Sequence, residues 1–147
     1  MRKRILVPAL VVALLAGSAV AFASGPKTFK RNFFINCGAS TPKTAQLCPR
    51  PPASYTLGTI TVAARPVTVT YVASSGHCSS VVLWIFVDGK KVAHTGKIGG
   101  SGTGKVTFLV KSPGKHRLSF EEQGFVGGCN AGTLVSIAGT ITVAYTH

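Results

Sequence analysis

The chain has 147 residues, 46% hydrophobic and only 13% charged, with 16 Lys+Arg against three acidic residues and a formal net charge of +13. That length fits one domain with a modest core. Three carboxylates leave little for acid–base catalysis to use, and the cationic excess favours anionic partners such as wall polymers, acidic glycans or lipid headgroups.

The opening MRKRILVPALVVALLAGSAVAFA carries Arg2, Lys3 and Arg4, then an apolar run, then a small-x-small end at Ala21-Phe22-Ala23. This predicts a secretory signal at residues 1–23, cleaved after Ala23; the run, broken by Pro8, is short for a membrane span. Ser24 to His147 would remain, 124 residues with 13 Lys+Arg against Asp88, Glu121 and Glu122, a net charge of +10. Four cysteines follow the signal, Cys37, Cys48, Cys78 and Cys129. An even count in an exported chain points to two disulfides, with three possible pairings. No C-x-x-C occurs, so a zinc site is not expected; neither metal nor cofactor is expected.

Residues 24–56 are basic, irregular and proline-rich, and are read as an N-terminal arm. Phe33-Phe34-Ile35 allows a short strand, while Pro49, Pro51 and Pro52 oppose regular structure after it. A Cys37–Cys48 bond would close a small loop in this arm. The sandwich domain is expected over 57–147. Strands are predicted at 58–63, 66–73, 81–87, 90–95, 105–111, 115–122 and 133–145, joined by Gly, Ser and Pro turns. In 66–71, Val67, Val69 and Tyr71 face one way and Thr68 and Thr70 the other. Residues 81–87 are apolar on both faces, as in a central strand. Asp88-Gly89 is a two-residue hairpin signal that needs positive φ at both positions. The loop at 96–104 is glycine-rich and read as flexible. Gly139 falls in the inward row of the last strand, which predicts a bulge or a close backbone approach.

About seven strands in this arrangement predict an all-β antiparallel sandwich. The stretch from Leu57 to Tyr145 resembles bacterial immunoglobulin-like domains. The resemblance rests on Val87-Asp88-Gly89, Gly104 to Phe108, Gly114 to Leu118 and Ile141 to Val143. It implies an Ig-like sandwich with a surface, adhesion or spacer role and supplies no catalytic residue. The long final strand, the cysteines and the arm depart from the family pattern and leave a jelly-roll carbohydrate-binding module as the alternative. In an Ig-like order the strands at 81–87, 115–122 and 133–145 share one sheet. The loops carrying Cys78 and Cys129 are then neighbours, and Cys78–Cys129 with Cys37–Cys48 is the expected pairing.

Alternation of strand direction places the loops at 74–80, 96–104 and 123–132 at one end. They gather His77, Lys97, Ser101, Thr103, Phe125 and Asn130 as candidate binding residues. The turns at the other end bring together Lys90, Lys91, Lys111, Lys115 and Arg117, a candidate basic patch for phosphate or uronate polymers. Trp84 is read as a core residue; sharing a face with Phe86, it is alternatively an exposed aromatic platform. Glu121 and Glu122 are adjacent on a strand and cannot face each other, and no hydrolase or metalloprotease motif occurs. The expectation is a secreted, monomeric, non-enzymatic binding or adhesion module of the cell envelope, contacting anionic or glycan polymers or a membrane surface rather than nucleic acid. The alternatives are the jelly-roll carbohydrate binder and a purely structural exported protein.

Overall fold

A computed structural model describes residues 25–37, 46–48, 55–77, 79–125, 127–128 and 135–147. Among the described residues nine strands form: β1 (Pro26–Cys37), β2 (Gln46–Cys48), β3 (Tyr55–Val62), β4 (Pro66–Ala73), β5 (Val81–Val87), β6 (Lys90–His94), β7 (Thr103–Leu109), β8 (Gly114–Gly124) and β9 (Val135–Thr146). One sheet has the order β1-β9-β4-β7. In the other, β8 is flanked on one side by β5 and then β6, and on the other by β2 and β3 end to end. All pairings are antiparallel.

The pairings are nested: β1 with β9, β3 with β8, β4 with β7, and β5 with β6. A long two-stranded ribbon folded over on itself gives that pattern, and the result is a jelly-roll sandwich. The two-layer antiparallel sandwich therefore forms as expected, with the jelly-roll order. The closing strand does not share a sheet with 81–87 and 115–122. The edge of β8 that it would need is occupied by β2 and β3, and β9 pairs instead with β1 and β4.

Residues 26–37 form a full strand rather than part of an irregular arm. All twelve pair in register with β9, from Pro26↔Thr146 to Cys37↔Val135. The reason is an apolar row: Phe29, Phe33 and Ile35 share the core-side parity, with Ile35 only 3% exposed. Cys37 and Cys48 have their backbones in β1 and β2, on different sheets. Their side chains, all of Cys78 and Cys129, and the loop at 38–45 lie outside the described residues, so the disulfide expectations fall there too.

The core is the set of inward rows. Val67, Val69 and Tyr71 of β4 meet Leu83 and Ile85 of β5, Leu118 of β8, and Ile141 and Val143 of β9, all with no measurable exposure. Burying each such aliphatic side chain is worth about 1.5–3 kcal/mol. Phe33 reaches across the layers, with ring centroids 5.7 Å from Tyr71 and 5.1 Å from Phe120. Outward rows carry threonine: Thr68 and Thr107 face each other on β4 and β7 with hydroxyls 2.9 Å apart. Threonine suits a solvated pleat, since its methyl packs while its hydroxyl stays wet.

Candidate functional site

The loop end assembles as the alternation of strands predicts. The Ala73 amide donates to the Gly102 carbonyl at 2.9 Å, and the Phe125 amide to the Ser80 carbonyl at 3.0 Å. Lys97 Nζ sits 4.3 Å from the Phe125 ring centroid. His77 Nδ1 donates to the Ser79 carbonyl at 2.8 Å, and its Nε2 is buried without a hydrogen-bond partner among the described residues. Ser101 adopts φ +58° at the loop tip. Thr103 begins β7, and its row neighbours Val72 across the sheet. Asn130 lies outside the described residues.

The glycine-rich loop at 96–104 is not a loose cradle. Ile98, 5% exposed, exchanges two backbone hydrogen bonds with Val81, at 2.9 and 2.8 Å. Gly100 lies directly on the His77 carbonyl, where a Cβ would collide with backbone. Gly100 is needed because the 74–80 and 96–104 loops press together there, whereas a Cβ at Gly96 or Gly99 would meet nothing within 4 Å. Gly100→Ala is expected to lower the melting temperature by several degrees, measured by circular dichroism.

Trp84 is not in the core. Val81, Leu83 and Ile85 take the inward row of β5 with 0% exposure, so strand alternation turns Trp84 and Phe86 to the outer face. There the indole is already engaged. Its Nε1 donates to Gln123 Oε1 at 3.2 Å, Lys91 Nζ lies 3.9 Å from the ring centroid, and the His94 ring is 4.5 Å away. Beside it, burial raises Glu121 above the usual carboxylate range, against the opposing pull of Lys91. An aromatic surface so occupied is not a free stacking platform.

The turn end is different. Asp88 and Gly89 have φ of +50° and +78°, the two positive values a tight hairpin requires. That turn presents the Asp88 carboxylate to β8. Its Oδ1 accepts from the Arg117 amide at 2.9 Å, and its Oδ2 from His116 Nδ1 at 2.7 Å. His116 Nε2 donates to the Ser112 carbonyl at 3.0 Å. Both ring nitrogens thus face acceptors, which is the pattern of an imidazolium. The hydrogen bond to Asp88 holds His116 above its ordinary range, and the same bond, followed by that from Arg117, holds Asp88 below its own. The bridge ties the β5–β6 hairpin to the turn before β8.

Around this bridge lies a cleft of about 370 Å³, lined by Val87, Asp88, Lys90, Val92, Leu109, Val110, Lys111, Ser112 and His116. Two structural accidents open it. The β5–β6 register skips Val92, so this residue bulges from the edge strand and is 40% exposed. Leu109 ends β7 on the outward row, 55% exposed. Of the five predicted cations, Lys90 and Lys111 line the cleft. Lys115 is exposed on β8 opposite Thr61. Lys91 and Arg117 turn elsewhere: Lys91 onto Trp84, and Arg117 to the outer face, where Nη2 donates to Thr56 Oγ1 at 3.0 Å. Lys90 and Lys91 are neighbours on a strand, so they cannot share a face. Sequence reasoning missed Arg65, whose carbonyl accepts from the Val110 amide at 3.4 Å and which is exposed at this same end. The Arg-Pro turn before β4 was the available signal.

No protein-family model matches the chain, and no curated protein matches it. Among solved structures it is similar to the CBM36-1 domain of a multidomain xylanase from the hindgut metagenome of Trinervitermes trinervoides, at 12% identity and TM-score 0.38, covering 77% of this chain and 96% of that one. It is also similar to a structure of the infectious bursal disease virus Gt strain, at 13% identity and TM-score 0.40, covering 95% of this chain and 38% of that one. The VP2 subviral particle of infectious bursal disease virus gives 15% identity and TM-score 0.38, with the same coverages. These likenesses carry no functional weight; the jelly-roll order rests on the strand pairing of the chain itself.

Proposed function

We propose that the chain is a non-enzymatic binding module of an exported protein, and that its turn end contacts anionic polymers of the cell envelope. The observation that carries this reading is the cleft between the β6 and β7 edges. It holds two lysines on apolar walls, and its one carboxylate is already neutralised by His116. Arg65, on the turn before β4, and Lys115, at the start of β8, add positive charge at the same end of the sandwich. The non-enzymatic part has support in the fate of the acids. Asp88 is bound on both oxygens, while Glu121 and Glu122 point to opposite faces of β8. Export rests on the opening 23 residues, and the charge balance suits an anionic surface outside the membrane.

The test is retention on immobilised polyuronate across a salt series, using the chain from Ser24 onward, which carries every described strand. Retention is expected to fall with salt, and Lys90→Gln with Lys111→Gln is expected to reduce the log–log salt slope by roughly two. Retention indifferent to salt and lost on Trp84→Ala would move the site to the outer face of β5. Retention unchanged by the lysine substitutions would exclude the cleft.

A further inference from the structure

We infer that the turn end docks on bilayers with anionic headgroups, with Leu109 and Val92 entering the interface while Lys90 and Lys111 meet lipid phosphates. This rests on the reading above and names the anionic surface. The argument begins with what the cleft leaves unused. Both Asp88 oxygens are occupied, and both His116 nitrogens are occupied. The charged groups still available on its rim are the ammoniums of Lys90 and Lys111, which only donate. A phosphodiester brings acceptors alone.

The second half of the argument is apolar. Val92 and Leu109 are two of the four exposed large hydrophobic side chains among the described residues, and both line this cleft. Exposed apolar side chains flanked by cations gain little from a soluble polyanion. At a bilayer they reach hydrocarbon while the lysines stay at headgroup depth, and the two contributions add. The surface charge of the tip complements the partner: Lys90 and Lys111 line the cleft beside one neutralised acid.

The experiment is vesicle sedimentation with the chain from Ser24 onward. Vesicles of phosphatidylcholine with one-third phosphatidylglycerol are compared with phosphatidylcholine alone, at about 0.1 M and about 0.5 M NaCl, where screening lengths differ roughly twofold. Binding is expected only to the anionic vesicles and to weaken at the higher salt. Lys90→Gln with Lys111→Gln is expected to lower the partition coefficient about 25-fold, some fivefold per cation. Leu109→Ser with Val92→Ser is expected to lower it about tenfold while leaving retention on polyuronate unchanged. These positions are exposed, so melting temperatures should stay close to that of the parent, which excludes unfolding as the cause. Equal binding to both vesicle types, or an unchanged partition in the Leu109/Val92 variant, overturns the inference. Polymer retention without vesicle binding sinks this inference alone; loss of both sinks the binding-module reading with it.

Discussion

Replacing Glu122 with leucine is expected to stabilise the protein at pH 8 by about 4 kcal/mol, a rise in melting temperature on the order of 15 °C. Glu122 lies in the inward row of β8, between Leu83 of β5 and Cys48 of β2 in register, with 0% exposure. Among the described residues neither carboxyl oxygen has a hydrogen-bond partner. Burial pushes its pKa up to about 8; burial likewise holds the Tyr71 phenol above its ordinary value, with a smaller push from the Glu122 charge. In the unfolded chain the same carboxyl ionises near pH 4. Below that value both states hold the proton and stability does not depend on it. Between about pH 4.5 and 8 the unfolded state has lost the proton and the folded state keeps it, so stability falls as pH rises, by about 1.4 kcal/mol per unit. At pH 5 the same linkage amounts to only about 1 kcal/mol, so the gain of the leucine variant should be about 3 kcal/mol smaller there than at pH 8.

His116 adds a slope of the same sign. Its folded pKa is raised, so its contribution is complete below about pH 6.5 and is lost as pH climbs through the folded value. Asp88 works at the other end: its pKa is lowered, and its contribution fades only as pH falls below the ordinary carboxylate range. The parent protein should thus be most stable near about pH 4–4.5, above the range where Asp88 loses its contribution and below the range where Glu122 begins to cost. Thermal unfolding of the parent, Glu122→Leu and His116→Gln from pH 4 to 9 separates the contributions. A parent whose stability is flat from pH 5 to 8, or a leucine variant weaker than the parent at pH 8, would contradict the buried acid.

How much of this was legible beforehand depends on how cleanly each element alternates. Residues 66–73 and 81–87 were bounded to the residue, because Pro66 opens one, Asp88-Gly89 closes the other, and their rows are free of misplaced charge. The strand at 26–37 was hidden because its inward row reads Lys27, Phe29, Arg31, Phe33, Ile35. Two cations dilute the period, and only an edge position lets them reach water; Arg31 Nε still donates to the Leu57 carbonyl at 3.3 Å. Missing that strand is also what left the strand order open. Seven antiparallel strands suit an immunoglobulin-like or a jelly-roll order equally, and β1 beside β9 completes the latter. At the turn end, the turns and their lysines were readable. Val92 and Leu109 were not, because the exposure of an apolar residue depends on a bulge and on which strand ends the sheet.

Gly139→Ala is expected to cost about 3 kcal/mol or more, lowering the melting temperature by about 10 °C. Gly139 lies in the inward row of β9, paired with Phe33 on β1 and Ala73 on β4, so the strand is held on both sides. The Tyr71 ring folds over it, and the phenol donates to the neighbouring Ala138 carbonyl at 3.3 Å. A Cβ at this position would collide with the Tyr71 ring and come within 2.5 Å of the Val72 carbonyl oxygen. The ring could swing away only by giving up its packing against Phe33 at 5.7 Å, and the carbonyl belongs to a paired strand. Tyr71→Leu in the same chain should therefore recover part of the loss and not all of it, since the backbone contact remains. Gly96→Ala is the matched control, because a Cβ there meets nothing within 4 Å and should shift the melting temperature little. If Gly139→Ala melts within a few degrees of the parent, the close approach of β4 and β9 is wrong, and with it the register that brings the loop end together.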